Sequence, residues 1–124
     1  MILLKKRATS ALAAALVAFA APAFAHHGWS DYDADKPLTL NGTIKTSSYE
    51  NPHATIALDV SGKVYTVILA PVSRMEGRGA AREAVAVGKQ ITVVGYPSKT
   101  HAGEVRAERI MFKDAGADKT VELR

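Results

Sequence analysis

The chain has 124 residues, with 16 Lys or Arg against 12 Asp or Glu and no cysteine. This length predicts one small domain and excludes a multidomain enzyme, a doubly wound nucleotide-binding fold and a (β/α) barrel. The lack of cysteine excludes disulfides, thiolate metal sites and cysteine nucleophiles.

Residues 1–25 have the three parts of a secretory signal peptide. The basic start ends in Lys5-Lys6-Arg7, an uncharged Ala-rich run follows, and Ala23-Phe24-Ala25 is a small-x-small cleavage site. The apolar run is shorter than the roughly 20 residues that a membrane-spanning helix needs. We therefore expect cleavage, no stable membrane anchor afterwards, and a periplasmic or secreted location.

Cleavage after Ala25 makes His26 the new N-terminus, whereas a cut two residues earlier leaves Phe24 and Ala25 in front of it. Removing the three cations of the leader lowers the formal net charge from +4 to +1. A nearly neutral mature chain gives no electrostatic reason to expect binding to nucleic acid or to an anionic membrane.

The mature chain is predicted to begin with a polar, extended arm, residues 26–36, followed by a β-barrel domain, residues 37–124. Pro37 opens the first strand, and the apolar alternation slips by one residue at Gly42, which predicts a β-bulge there. Turn residues follow at 49–52. Strands are predicted at residues 54–60 and 64–70, with a tight hairpin turn between them.

A short helix is predicted after the third strand. Ser73 and Glu76 have the spacing of a capping box, which places the helix start at Ser73. Gly77 and Gly79 limit this helix to a turn or two, and residues 80–87 are predicted to form a second helical turn. Later strands are predicted at residues 90–96, 104–113 and, as a short terminal addition, 119–123.

These elements predict an all-β fold with a small inserted helix, namely a five-stranded OB-like Greek-key barrel with the helix between strands 3 and 4. An open β-sandwich or a split barrel of another strand order is the alternative. Apolar alternation gives the predicted core, which consists of Leu40, Ile44, Ile56, Leu58, Val60, Val67, Leu69, Ile91, Val93 and Ile110.

Several short motifs occur together in a characteristic order. They are His26-His27-Gly28-Trp29, Tyr32-Asp33, Asp35-Lys36-Pro37, Asn41-Gly42-Thr43, Asn51-Pro52-His53, Ala70-Pro71-Val72-Ser73-Arg74-Met75, Arg78-Gly79 and Gly95-Tyr96-Pro97. In this order the chain resembles a family of small exported bacterial proteins of unknown function. Two positions depart from that pattern: Tyr49 stands where a Trp is usual, and Ala80 or Ala81 where a Ser/Thr cap is usual. The resemblance implies export and fold, and it implies no activity.

Four histidines are the candidate metal ligands. A free amine and an imidazole on His26 would chelate Cu(II), which prefers nitrogen ligands in a square-planar arrangement. His27 could instead bind through the amine, a deprotonated amide and its own imidazole. A complete site needs a ligand from the barrel, for which His53 and His101 are the candidates. The alternative is that the two N-terminal histidines lie in a mobile arm without a metal.

The other candidate side chains also have two interpretations. Trp29 and Tyr32 are predicted to anchor the arm on the barrel, with a ligand-stacking platform as the alternative. Arg74 and Arg78 lie four residues apart on one helix face, where they would either hold an anion or pair with Glu76 or Glu83 at the surface. Asp31, Asp33 and Asp35 lack the Gly and distal Glu of a calcium loop.

No motif of a hydrolase, metalloprotease, phosphate-binding loop or dinucleotide site is present in the sequence. We therefore expect no enzyme. The favoured function is a periplasmic binding module of undefined ligand, with copper as the candidate cofactor. The alternative is an envelope structural or interaction protein that offers a barrel groove to a protein or peptide.

Overall fold

The computed structural model describes residues 28–124, so the predicted signal peptide and the His26-His27 pair lie outside the described residues. The described part contains six strands and a short α-helix. They are β1 (Leu38–Ser48), β2 (Thr55–Val60), β3 (Lys63–Ile68), α1 (Val72–Gly77), β4 (Gln90–Pro97), β5 (Glu104–Asp114) and β6 (Ala117–Glu122). The predicted ranges of all these elements agree with the structure to within a few residues.

The first five strands close into a barrel. The sheet runs in the order β3-β2-β1-β4-β5-β6, and a further pairing joins β3 to β5. This closing pair is parallel, with Thr66 opposite Glu104 and Ile68 opposite Arg106, whereas the other pairs are antiparallel. A closed, mixed five-stranded barrel with a small helix confirms the predicted fold, and β6 extends the sheet beyond it.

The strand bend predicted at Gly42 lies three residues later. The β1–β2 register shifts between Ile44 and Thr46, so Lys45 is the extra residue of the bulge. Gly42 has another role, because a Cβ at this position would lie 2.4 Å from the carbonyl oxygen of Asp59 and 2.9 Å from Cγ of Leu58. The glycine that interrupts the alternation therefore permits close approach of β1 and β2.

The helix between β3 and β4 begins one residue before the predicted start. Pro71 is its N-cap and the cap has no side-chain hydrogen bond, so the capping box predicted at Ser73 and Glu76 is wrong. Pro71 has φ −54°, and a fixed φ of this kind suits the entry to a helix. Met75 is buried against the core, and a 3-10 turn, Arg82–Val85, follows.

The barrel interior is filled by aliphatic side chains, as the alternation predicts. Nine of the ten predicted core residues are buried, and the remaining one, Val60, is half-buried and packs against the core. Tyr49 closes one end, where its hydroxyl donates a hydrogen bond of 2.7 Å to the carbonyl oxygen of Ala80. Within residues 28–124, no helix has the length and apolar character needed to cross a membrane.

Candidate functional site

The described part of the N-terminal arm is docked on the barrel, and its backbone is extended at Gly28 and Tyr32. A 3-10 turn, Trp29–Asp31, opens it, and Tyr32 forms a β-bridge with Ser98 after β4. The amide of Lys99 donates to the carbonyl oxygen of Asp31, and the amide of Asp33 donates to that of Pro97. The arm therefore lies along the outer surface of the barrel beside the end of β4.

Trp29 fastens the arm through its indole ring. The guanidinium carbons of Arg106 and Arg124 lie 4.6 and 4.7 Å from the centre of the indole, and Tyr96 meets it edge-on at 6.2 Å. Guanidinium groups at this distance are attracted to the negative face of the ring. The indole thus joins the arm to β4, to β5 and to the segment after β6, which confirms the anchoring interpretation of Trp29.

Tyr32 is the second anchor and is only 2% exposed. Its hydroxyl donates a hydrogen bond of 3.1 Å to Oε2 of Glu104 at the start of β5. Burial, followed by the charge of Glu104 and this hydrogen bond, raises the pKa of Tyr32 well above its ordinary value. The phenol therefore stays neutral and anchors the arm at all physiological pH values.

The arginines of α1 bind main-chain groups near the C-terminus. Arg74 donates a hydrogen bond of 3.0 Å to the carbonyl oxygen of Leu123, and Arg78 donates to those of Glu122 and Arg124. These contacts differ from both predicted roles, an anion site and surface ion pairs with Glu76 or Glu83. The two side chains instead fasten the chain after β6 to the helix.

Arg106 is the central side chain of this surface and is 8% exposed. Burial lowers the pKa of Arg106, and the positive charges of Arg74 and Arg124 act in the same direction. The guanidinium groups of Arg106 and Arg124 both lie against the indole of Trp29, so Arg106 lies close to the chain after β6. Its aromatic neighbours, Trp29 and Tyr32, cover it from solvent.

The two described histidines lie at different ends of the barrel. His53 is two residues before Thr55, which pairs with Ile68 at the C-terminal end of β3. His101 belongs to the loop before β5, and the next glycine of this loop, Gly103, accepts a hydrogen bond from the amide of Thr66. His53 is half-buried, and His101 is exposed with Nδ1 at 2.9 Å from Oγ1 of Thr100.

Residues 28–124 contain no group of three or more His, Asp or Glu side chains arranged to hold a metal ion. A copper site of the predicted kind therefore depends on His26 or His27, which the described range does not include. The structure brings neither described histidine into a preformed ligand set of that size.

A groove of about 660 Å³ lies on another face of the barrel. Residues of β1, β4, β5 and β6 line it, among them Asn41, Thr92, Met111, Lys113 and Asp118. On its wall the hydroxyl of Thr92 donates a hydrogen bond to the side-chain oxygen of Asn41. Acidic, basic and apolar groups are mixed here, so the groove carries no strong charge of either sign.

Sequence reasoning missed Arg106, Arg124 and Tyr96 as partners of the arm. Arg106 stands between Val105 and Ala107, which are both buried in the barrel, so the strand period does place its side chain on the outer surface. What covers that surface depends on the arm, which has no periodic pattern. The available signal was therefore an arginine between two buried apolar residues of a strand, together with an aromatic pair in the arm.

Comparisons with known proteins support the family and the fold. The model of the family of unknown function DUF6152 matches residues 13–106. A search of the curated proteins found no match. Among solved structures, the ZRD-deleted mutant of TiaS in complex with agmatine is similar, with a TM-score of 0.53 and 15% identity over 71% of this chain. The match spans only 26% of that protein, and this likeness concerns the fold alone.

Proposed function

The chain belongs to DUF6152, a family of unknown function, and we propose that it is an exported, non-enzymatic binding module that takes up Cu(II) through its processed N-terminus. In this proposal the leader is removed after Ala25 in the periplasm. The amine and the imidazole of His26 then chelate the metal. The barrel serves as the rigid support of the site.

The docked arm is the observation that supports this function. Trp29 and Tyr32 hold residues 29–32 on the barrel through the indole contacts with Arg106 and Arg124 and the hydrogen bond to Glu104. The ligands of the proposed site come directly before this anchored segment. A chelating terminus attached to a fixed point loses less conformational entropy on binding than one at the end of a mobile tail.

The chemistry of the terminus selects copper among the divalent metals. An amine and an imidazole on one residue are both nitrogen donors, and nitrogen donors in a tetragonal arrangement favour Cu(II). Both must be deprotonated to coordinate, and an unperturbed imidazole titrates near pH 6.5. Binding is therefore expected to weaken steadily as the pH falls below that value.

Isothermal titration with Cu(II) tests the proposal on two forms of the protein. One form begins at His26 and the other carries His26→Ala at the same terminus, which removes the imidazole beside the free amine while leaving the barrel unchanged. We expect much tighter binding by the form that begins at His26. Equal affinities of the two forms would refute the proposal, and the intact mass of protein from the periplasm establishes which terminus is made.

A second candidate function rests on the groove lined by β1, β4, β5 and β6. Its volume of about 660 Å³ is typical of clefts that bind small ligands or short peptide segments. In this alternative the protein is an interaction module of the envelope that binds an extended peptide. Peptides that bind the mature protein can be selected from a displayed library. These peptides should no longer bind the Thr92→Arg variant, whose new side chain blocks the groove. They should still bind the Lys99→Arg variant, because Lys99 lies outside the groove.

A further inference from the structure

β6 is an edge strand of the sheet. It stands last in the strand order, and within residues 28–124 the only strand that pairs with it is β5. An edge strand has one row of main-chain N–H and C=O groups that face no neighbouring strand, and an extended chain can pair with such a row. The residues in this row determine what the edge can bind.

Main-chain hydrogen bonds identify the row. The amide of Leu123 donates to a carbonyl oxygen of β5, so the main-chain groups of Leu123 face β5. This direction alternates along an antiparallel strand, so the groups of Val121 and Lys119 also face β5. Thr120 and Asp118 therefore point their N–H and C=O groups away from the sheet.

One end of the row is already covered. Nη1 of Arg78, the residue that caps the C-terminal end of α1, donates hydrogen bonds to the carbonyl oxygens of Glu122 and Arg124. These bonds agree with the alternation, because they place the carbonyl of Glu122 on the outward side. Within residues 28–124, no hydrogen bond from another element reaches the outward groups of Asp118 or Thr120. The open stretch of the edge is therefore residues 118–120.

The side chains of the open stretch carry opposite charges. The Asp118 side chain is 88% exposed, and its carboxylate lies 2.7 Å from the ammonium of Lys113. The next residue, Lys119, is on the other face of the strand and lies 3.5 Å from Asp114. Ion pairs at the surface are weak in water, so both side chains can take a further partner. A strand added here meets a carboxylate at one position and an ammonium at the next.

These charges disfavour pairing between two copies of the chain. A twofold axis would align β6 antiparallel with itself, with outward residues facing outward residues. An axis at Thr120 places Asp118 opposite Glu122 of the other copy. An axis at Lys119 places two ammonium groups opposite each other, and an axis at Asp118 does the same with two carboxylates. Like charges directly opposite destabilise a strand pair, so the edge suits a chain of different sequence.

We propose that the edge of β6 binds an extended peptide segment of another protein, which adds to the sheet as an antiparallel strand. Its acidic residue lies opposite Lys119, and the basic residue directly after it lies opposite Asp118. Thr120 and Asp118 each exchange two main-chain hydrogen bonds with the peptide. This inference goes beyond the proposed function, because none of the proposed copper ligands takes part and the contact is the main chain of β6, not the floor of the groove.

The test uses two peptides of identical composition, titrated into the mature protein and followed by NMR. The probe is the acetylated and amidated heptapeptide Thr-Val-Thr-Glu-Lys-Val-Thr, whose β-branched residues favour the extended form. The control peptide exchanges the Glu and the Lys, which places like charges opposite both Lys119 and Asp118. The probe should shift the amide signals of Asp118 and Thr120 and slow their exchange with solvent. The control should bind about fivefold or more weakly, and equal binding of the two peptides overturns the proposal.

Methylation of single peptide nitrogens tests the main-chain pairing. The N–H of the Lys in the probe faces the carbonyl of Asp118, whereas the N–H of the Glu points away from β6. N-methylation of the Lys should therefore weaken binding by about tenfold, and N-methylation of the Glu should leave it nearly unchanged. The same loss for both methylated peptides, or a loss for the Glu alone, overturns the proposed register.

Protein variants test the charge assignment. Asp118→Lys should abolish the preference for the probe, because each peptide then has one attractive and one repulsive pair. Asp35→Lys makes the same change of charge at an exposed position of the arm and should keep the preference. Circular dichroism checks that both variants are folded. A preference that survives Asp118→Lys, or peptide-induced shifts around Val64 near the start of β3 instead of β6, overturns the proposal.

Discussion

Replacing Trp29 by alanine should release the arm from the barrel. The change removes two guanidinium contacts and one edge-on contact with Tyr96. A cation–π contact is worth about 2 kcal/mol when desolvated and about 0.5–1 kcal/mol when exposed, and the edge-on aromatic contact adds about 0.5–1 kcal/mol. Arg106 is buried whereas the Arg124 side chain is 56% exposed, so the contact with Arg106 dominates. Together the three contacts predict that Trp29→Ala lowers the free energy of unfolding by about 3–4 kcal/mol.

Urea unfolding followed by far-ultraviolet circular dichroism measures this loss, because Trp29 is the only tryptophan and its fluorescence disappears with it. Lys63→Ala is the matched control. Its ammonium lies 4.7 Å from the ring centre of Tyr65 at an exposed position, so we expect a loss of at most about 1 kcal/mol. A loss below about 0.5 kcal/mol for Trp29→Ala would show that the indole contacts do not hold the arm, and the support for the proposed metal site would be withdrawn.

Three further outcomes are expected from the fold. Leu58 is fully buried, so Leu58→Ala should lower the free energy of unfolding by about 2–5 kcal/mol in chemical denaturation. A loss below about 1 kcal/mol would show that the Leu58 side chain does not pack inside the barrel. Gly42→Ala forces a Cβ against the Asp59 carbonyl, so it should lower the free energy of unfolding by about 1–3 kcal/mol. Gly77→Ala is the control: the space around Gly77 is open, so this change should not reduce the melting temperature. Because the pKa of Tyr32 is raised on folding, the folded state holds a proton that the unfolded state releases above about pH 10. Stability should therefore fall as the pH rises above that value, and Tyr32→Phe should make this fall less steep in denaturation measured across that range.

Alternation of apolar residues was sufficient to predict the barrel. Leu58 and Val67 face the interior because each strand buries one face, and this requirement is local and periodic. The position of the bulge and the start of the helix could not be predicted from this alternation, because contacts between strands determine them. The bulge at Lys45 depends on the pairing of β1 with β2, and the N-cap at Pro71 depends on where β3 ends. A spacing of Ser and Glu that suits a capping box does not by itself place the start of a helix.

The site was less predictable than the fold for a physical reason. Tyr32 is buried because the outward face of β5 offers Arg106 and Glu104 as partners, and they lie more than seventy positions away in the sequence. The sequence predicted a polar, extended arm anchored by Trp29 and Tyr32, but it did not identify the barrel residues that these two side chains contact.

The contact of Trp29 with Arg124 has a consequence for the order of folding. These residues stand near opposite ends of the described chain, and Arg124 follows β6, the last strand in the sequence. Such a long loop closes at an entropic cost that the barrel must already have offset through its own strand pairings. The arm therefore docks late, onto a barrel that is already closed. Weakening the Trp29 contact should accelerate unfolding and leave the rate of folding nearly unchanged.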